Sequence, residues 1–254
     1  YFEPENLEAA VAVLADLGYR VSVPAPLEHT SEPAFASMLL RRRRKPRPLC
    51  YGRTFLAAGL VEEAKAEARR LSGALAPYVA RGVPVVGIEP SCLLTLRDEI
   101  TAMGLGEQAK AVAERAVLLE EHLAAEAARG RVTAPIGKLQ GKALLHGHCH
   151  QKSFGAMAAV ERTLRLVDGL DVETVEAGCC GMAGAFGYAR ETFATSIAVG
   201  EQGLLPAVRK APQTTAIIAD GFSCRHQIAD GAGRRAEHVA QVLRRAIQAG
   251  RTAP

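Results

Sequence analysis

Apolar residues recur along this chain at two different periods, and the two alternate. Leu7, Ala10, Val11 and Leu14 stand at helical spacing with Gly18 as a stop, and Tyr19-Arg20-Val21-Ser22-Val23 then alternates as a strand does. A Pro- and Arg-rich loop covers Pro24 to Pro48. The pattern next predicts a helix over Val61 to Ala80, a strand over Val83 to Ile88 and helical spacing from Gln108 to Ala128, with Gly130 to Gly141 as a linker. A second set follows: strand Ala143 to His146, helix Gly155 to Leu166, strand Val172 to Val175, helix Arg190 to about Val208, strand Thr215 to Ala219 and helix Ala236 to Ile247. Alternating strand–helix units favour a largely parallel sheet covered by helices on both faces, an α/β protein.

The two sets read as copies. Cys50-Tyr51-Gly52 precedes a helix and then a strand that ends in Glu89-Pro90-Ser91-Cys92, while Cys179-Cys180-Gly181 precedes a helix and then a strand that ends in Gly221-Phe222-Ser223-Cys224. The separations are 42 and 45 positions. Matched cysteines in matched order point to internal duplication. The expected organisation is two pseudo-repeated α/β domains with mainly parallel sheets, one over residues 1–130 and one over residues 141–254. The first copy lacks a leading strand, so the chain is expected to be a fragment of a longer protein.

Composition narrows the function. With 254 residues, 48% hydrophobic and 23% charged, the chain can bury a core in each of two domains of about 125 residues. A net charge of +4 is too mild to imply nucleic acid, since Arg41, Arg42, Arg43, Arg44, Lys45 and Arg47 supply a surplus by themselves. That run reads as a solvated loop, its other reading being a docking patch for an acidic partner domain. Aromatics are 5% with no Trp, which argues against a base-stacking platform. No segment approaches the roughly 18 uninterrupted apolar residues of a membrane helix. With no secretory leader, a cytoplasmic location is expected, and the six cysteines point to metal or redox chemistry rather than disulfides.

Cys149, Cys179, Cys180 and Cys224 all fall where a predicted strand gives way to a loop, the edge of a parallel sheet where ligands bind. Four soft sulfur donors suit an iron–sulfur cluster or zinc, the remaining reading being reduced structural thiols or a redox disulfide. A vicinal Cys179-Cys180 can serve one polynuclear centre only if the backbone bends sharply, which Gly181 permits. His146, His148 and His150 flank Cys149 at every second position, where hydrogen-bonding or surface roles are favoured over ligation. His226, two residues after Cys224, is the better candidate to support the ligands from behind. Glycines 181, 184 and 187 lack the dinucleotide-binding spacing and are better explained by backbone amides packed against sulfur. In the first half Cys50 and Cys92 cannot hold a four-iron cluster alone. They read as a degenerate copy, or else as residues lining a shared cleft or forming a redox pair.

Five segments carry a resemblance: Leu49-Cys50-Tyr51-Gly52-Arg53-Thr54, Glu89-Pro90-Ser91-Cys92, His148-Cys149-His150-Gln151-Lys152, Cys179-Cys180-Gly181-Met182-Ala183-Gly184 and Phe222-Ser223-Cys224-Arg225-His226-Gln227. Together and in this order they resemble the cysteine-rich CCG domain pair of the heterodisulfide reductase B subunits, the glycolate oxidase iron–sulfur subunit and the lactate-utilisation oxidoreductases. The resemblance covers nearly the whole chain and is strongest to the carboxyl-terminal region of fused FAD-linked oxidase/iron–sulfur proteins that oxidise D-2-hydroxy acids such as lactate, glycolate or 2-hydroxyglutarate. It implies that Cys149, Cys179, Cys180 and Cys224 hold an iron–sulfur cluster of the [4Fe–4S] kind, with zinc as the alternative. It also implies FAD on an upstream domain, ferredoxin-like partner domains, a downstream electron acceptor, and attachment at the inner membrane only through partners. Two positions depart from the family pattern, Gln227 standing where a further cysteine ends the motif and Tyr51 replacing a vicinal cysteine. The expected function is electron transfer within a flavin-dependent dehydrogenase. The alternatives are a disulfide-reducing protein of the heterodisulfide reductase kind and a zinc-stapled interaction domain.

Overall fold

A computed structural model describes residues 3–25 and 47–252 and shows an α/β protein. In chain order the elements are α1 (Pro4–Asp16), α2 (Arg53–Ala57), α3 (Val61–Val79), β1 (Val85–Gly87), α4 (Pro90–Arg97), α5 (Glu99–Ala102), α6 (Glu107–Arg115), β2 (Ala116–Leu118) and α7 (Leu119–Ala128). There follow β3 (Gly137–His146), α8 (Cys149–Ser153), α9 (Met157–Leu164), β4 (Val167–Thr174), a 3-10 turn at Phe186–Tyr188, α10 (Phe193–Glu201), α11 (Leu204–Lys210), β5 (Ala216–Ala219), α12 (Phe222–Ala232), β6 (Ala236–Glu237) and α13 (Val239–Thr252). The described residues divide into two units. One comprises the segment through Val21, Val86–Ser91 and everything from Leu118 on, and the other comprises Ser22–Val85 and Cys92–Val117.

The larger unit is built on a four-stranded sheet, order β4-β3-β5-β6, with every neighbouring pair parallel. Side chains alternate across a strand, and the core divides accordingly. Ala143, Leu145 and Ile218 face one side, where α1, α7, α9 and α13 supply Val13, Leu123, Val160 and Leu243. Leu144, Ile217 and Ala219 face the other side, where α11 and α12 supply Leu204, Val208 and Ile228. Burial on both faces suits the apolar runs of β3 and β5, each fully buried Leu or Ile contributing about 1.5–3 kcal/mol. Because the strands are parallel, β3, β4 and β5 all deliver their carboxyl ends to one edge.

The smaller unit is mainly helical. Ala64, Ala68, Leu71 and Leu75 form one buried stripe along α3, which packs on α6 and α2, and Leu93, Leu94 and Leu96 of α4 are buried as well. Glu67 is buried on the same helix and is held by Arg47 and, at 3.4 Å, by Arg70. Arg53 ties α2 to α5 through Glu99 at 2.5 Å.

Several elements differ from the periodicity. Residues 19–23 form no strand: Tyr19 and Val21 do pack on the core, but no neighbouring strand pairs with them, and Tyr19 instead donates its hydroxyl to Glu126 at 3.2 Å. The stretch from Gln108 to Ala128 is two helices broken by β2, because Ala116-Val117-Leu118 extends to pair with β1. The linker ends sooner than Gly141, since β3 starts at Gly137 and pairs there with Val167. Residues 190–208 make two helices divided at Gly203, and Ala236-Glu237 pairs as β6 before α13 begins. Cys149 and Cys224 lie not in loops but in the first turns of α8 and α12. The residues Arg41 to Lys45 lie outside the described residues.

Candidate metal centre

Three strand ends build the site, all within the larger unit. After β3 the chain turns at Gly147 into α8, whose first residue is Cys149. His148 caps that helix: its Nδ1 accepts from the backbone N–H of His150 at 3.1 Å, and its own N–H donates to Oε1 of Gln151 at 3.0 Å. After β4 comes the loop carrying Cys179 and Cys180, and after β5 comes α12 with Cys224 as its third residue. Exposure falls in that order, from an exposed Cys149 and a half-buried Cys179 to Cys180 and Cys224 at 4% and 1%.

The four sulfurs lie in contact as a chain. Cys149 meets Cys179, Cys179 meets Cys180, and Cys180 meets Cys224. Their acidities separate accordingly. Thiol hydrogen bonds from Cys149 and Cys180 hold Cys179 far below the usual thiol range, helped by the Gly181 N–H, which reaches its Sγ at 3.3 Å. The Cys180 thiol likewise brings Cys224 down to about 6 against the opposing effect of burial. Cys149 and Cys180, which keep the protons, are pushed up. A set that already carries partial thiolate character needs few proton losses to bind a soft cation.

Lys152, one turn along α8, supplies positive charge. Its Nζ donates to the carbonyl of Gly178 at 2.8 Å and to that of Ala177, fastening α8 to the Cys179 loop while facing all four sulfurs. Lys152→Met is expected to cost about 1.5–3 kcal/mol through these charged hydrogen bonds, read as a shift in denaturant midpoint that Lys152→Arg partly restores.

Two glycines allow the close approach. A Cβ on Gly181, whose φ is +93°, would stand 2.0 Å from the carbonyl oxygen of Ser196. One on Gly221 would stand 2.3 Å from Cδ2 of His148 and 3.2 Å from Sγ of Cys224. Gln227 donates to the Ser196 carbonyl at 3.1 Å, which holds α12 to α10 behind Gly181. Glu89 caps α12 by accepting from the Phe222 N–H at 2.9 Å, and burial raises its carboxyl.

His146, which spacing alone assigns to a hydrogen-bonding or surface role, belongs to the site. It closes β3 on the same face as Leu144, lies against Cys224, and is 1% exposed. Its ring nitrogens meet no oxygen or nitrogen partner among the described residues, and its hydrogen bond is to the Cys224 sulfur. A buried imidazole bonded to a cysteine sulfur favours the thiolate there, the form that a soft metal binds. The alternation of β3 is the signal that points to it, since positions 144 and 146 share a face.

The chain is similar to parts of dehydrogenases. The C subunit of the anaerobic glycerol-3-phosphate dehydrogenase of Escherichia coli (strain K12) is 27% identical over 201 residues, 78% of this chain and 49% of its own length. D-2-hydroxyglutarate dehydrogenase of the same strain is 30% identical over 164 residues, and that of Pantoea ananatis is 31% identical over 168 residues. Each match covers 64% of this chain and 15% of the relative. The chain thus spans about half the length of the glycerol-3-phosphate dehydrogenase protein and a much smaller share of the hydroxyglutarate dehydrogenases. No protein-family model matches the chain.

Of the remaining candidates, His150 lies at the outer end of the site and the others fall elsewhere. His150 stacks on His148 with ring centroids 5.2 Å apart, and both imidazoles approach Cys149 Sγ, at 4.0 and 3.9 Å. His226 packs on Phe222 at 4.1 Å and lines a groove of about 680 Å³ with Glu3, Arg225 and Gln241, two helical positions from Cys224 and so on a different face of α12. Cys50 and Cys92 belong to the smaller unit, where they repeat the local geometry of the cysteine site. The Gly52 N–H reaches Cys50 Sγ at 3.4 Å, Gly52 has φ +80°, and its Cβ would stand 2.7 Å from the Ala64 carbonyl. Cys92 is the third residue of α4, as Cys224 is of α12. Tyr51 takes the place of Cys180: burial and the neighbouring Cys92 and Cys50 push its phenol up, so it offers a neutral hydroxyl where the other copy offers sulfur.

Proposed function

We propose that the chain is the iron–sulfur electron-transfer portion of a flavin-dependent dehydrogenase that oxidises a secondary alcohol carbon, a D-2-hydroxy acid by preference. The observation that carries the reading is the contact chain of Cys149, Cys179, Cys180 and Cys224 with the buried His146 hydrogen-bonded to its inner end. The named substrates of the relatives, glycerol 3-phosphate and D-2-hydroxyglutarate, both carry a secondary hydroxyl, which supports the substrate class. The two related copies correspond to residues 1–130 and 141–254, the second holding the cluster and the first, with Tyr51, remaining without one.

An iron–sulfur cluster at the four cysteines supplies single-electron steps between a flavin on a partner domain and a downstream acceptor. This chain's residues hold and tune it. Cys179 and Cys224 enter as thiolates, and Cys149 and Cys180 release their protons on binding. The Gly181 N–H and the Lys152 ammonium offset the charge collected on sulfur, while Met182 and Ile228 keep the inner side dry. The exposed Cys149 marks the side from which a partner approaches. No helix among the described residues is long and apolar enough to cross a membrane.

The test is anaerobic reconstitution with iron and sulfide, followed by elemental analysis and EPR. About four iron and four sulfide per chain, with a visible band bleached by dithionite, is the expected result. One zinc per chain and no sulfide uptake would replace this reading with the metal-stapled interaction domain.

A further inference from the structure

We propose that Glu120 forms with Asp220 a buried acid pair in which Glu120 holds a proton beside the Asp220 carboxylate, and that this proton links the stability of the cysteine-bearing strand end to pH. The pair acts in this way whatever the cysteines bind. Glu120 is the second residue of α7 and is 1% exposed, and neither of its carboxylate oxygens meets a hydrogen-bond partner among the described residues. Asp220 follows β5 and is 1% exposed, while His238 immediately precedes α13 and is 2% exposed. One oxygen of each acid and a ring nitrogen of His238 all lie within 4.8 Å of one another.

The partners decide what this cluster holds. Asp220 is furnished as a carboxylate: Oδ2 accepts from Gln151 Nε2 at 2.8 Å and Oδ1 from the Val239 N–H at 3.0 Å. His238 is furnished as a neutral ring. Its Nδ1 accepts from the Ala240 N–H at 2.9 Å, so the ring proton sits on Nε2, 2.7 Å from the Ile88 carbonyl and 3.6 Å from Asp220 Oδ1. With both nitrogens committed, the imidazole has no lone pair left for a metal ion. Around Glu120 stand further acids, Asp220 and the neighbouring Glu121. The buried Arg225 of α12 donates to the Asp220 main-chain carbonyl at 2.6 Å, Glu89 interacts with both Arg225 and His238, and Thr163 of α9 donates to the Glu120 main-chain carbonyl. With Asp220 held as a carboxylate by its donors and Glu120 holding none, a second charge in this dry space is disfavoured, and a proton on Glu120 resolves the repulsion. Burial first, and the Asp220 charge second, push the Glu120 carboxyl well above its usual range.

The position of Asp220 makes the proton matter. The same residue that faces Glu120 holds the side chain of Gln151, whose oxygen in turn holds the N–H of His148, the cap of the helix that begins at Cys149. Loss of the proton places a second negative charge against that anchor. The sign follows from a folded pKa raised above the unfolded one. The stabilisation is fully present below the unfolded carboxyl range, and it declines as pH rises toward the folded value. Across that window the folding equilibrium loses up to tenfold per pH unit for one proton.

The experiment compares the wild-type chain with Glu120→Gln, and with Glu120→Met as a second neutral replacement. Denaturant unfolding is measured at a series of pH values from acid to alkaline, beside infrared spectra of the carboxylic C=O stretch. The expected wild type shows a protonated-acid band at neutral pH and a stability that falls with pH. Both variants should lack that band, and the slope should drop by one proton. Absence of the band from the wild type, or equal slopes in all three proteins, would overturn the proposal. So would saturable binding of Mg²⁺, Mn²⁺ or Zn²⁺ that Glu120→Gln abolishes, since it would make the site a metal site.

Discussion

Cys180→Ser, reconstituted anaerobically beside the wild type, is expected to retain essentially no iron or sulfide, whereas Cys50→Ser retains the wild-type amount. Cys180 is the link in the sulfur chain that touches both Cys179 and Cys224, and it is 4% exposed. Serine keeps nearly the same volume, so the core around Leu144, Val208 and Ile228 stays filled. Its hydroxyl is a hard donor that does not ionise in a buried setting, and it cannot take the place of a thiolate toward a soft metal. Cys50 has Tyr51 as its neighbour and belongs to the other unit. In the flavin-dependent dehydrogenase proposed above, the same substitution should leave the flavin reducible by substrate in a single turnover and remove steady-state transfer to an artificial acceptor. Full iron in Cys180→Ser would end the four-cysteine reading, and equal loss in Cys50→Ser would bring the smaller unit into the site.

Gly181→Val is expected to destabilise the chain by about 2–5 kcal/mol and to remove the cysteine site with it. A β-branched residue at φ +93° carries about 1–2 kcal/mol of backbone strain. Its Cβ, 2.0 Å from the Ser196 carbonyl, adds overpacking of about 1–3 kcal/mol, because a main-chain oxygen inside α10 cannot move aside. Gly52→Val meets the Ala64 carbonyl at a looser 2.7 Å and is expected to cost somewhat less, with iron content per folded chain unchanged. Gly184, at φ +66° with open space around it, isolates the strain alone, so Gly184→Ala should cost about 1 kcal/mol. Denaturant unfolding of the three variants separates strain from clash. A Gly181→Val chain as stable as Gly184→Ala would mean that the loop can leave α10 without cost.

The amino-acid sequence by itself determined the α/β class, because alternation at periods of two and about 3.6 is a local property that each segment carries with it. It also determined which thiols are paired with which glycines, since Cys-x-Gly recurs before a helix in both halves and the positive φ that each turn needs is written as glycine. Tertiary structure decided the rest. Ala116-Val117-Leu118 sits in a stretch with helical spacing and becomes strand only because β1 is there to pair with it. Tyr19 to Val23 alternates as a strand should and forms none, because no neighbour offers a ladder. Along the chain His226 is the better candidate than His146, yet His226 turns to Phe222 while the buried His146 bonds to Cys224. Glu120 gives no sign in its neighbourhood that it will meet Asp220, a hundred residues on, in the same dry space. Period and turn chemistry are set by near neighbours and are legible one segment at a time. Burial and unpartnered polar atoms exist only once distant strand ends have been brought to one edge of a parallel sheet.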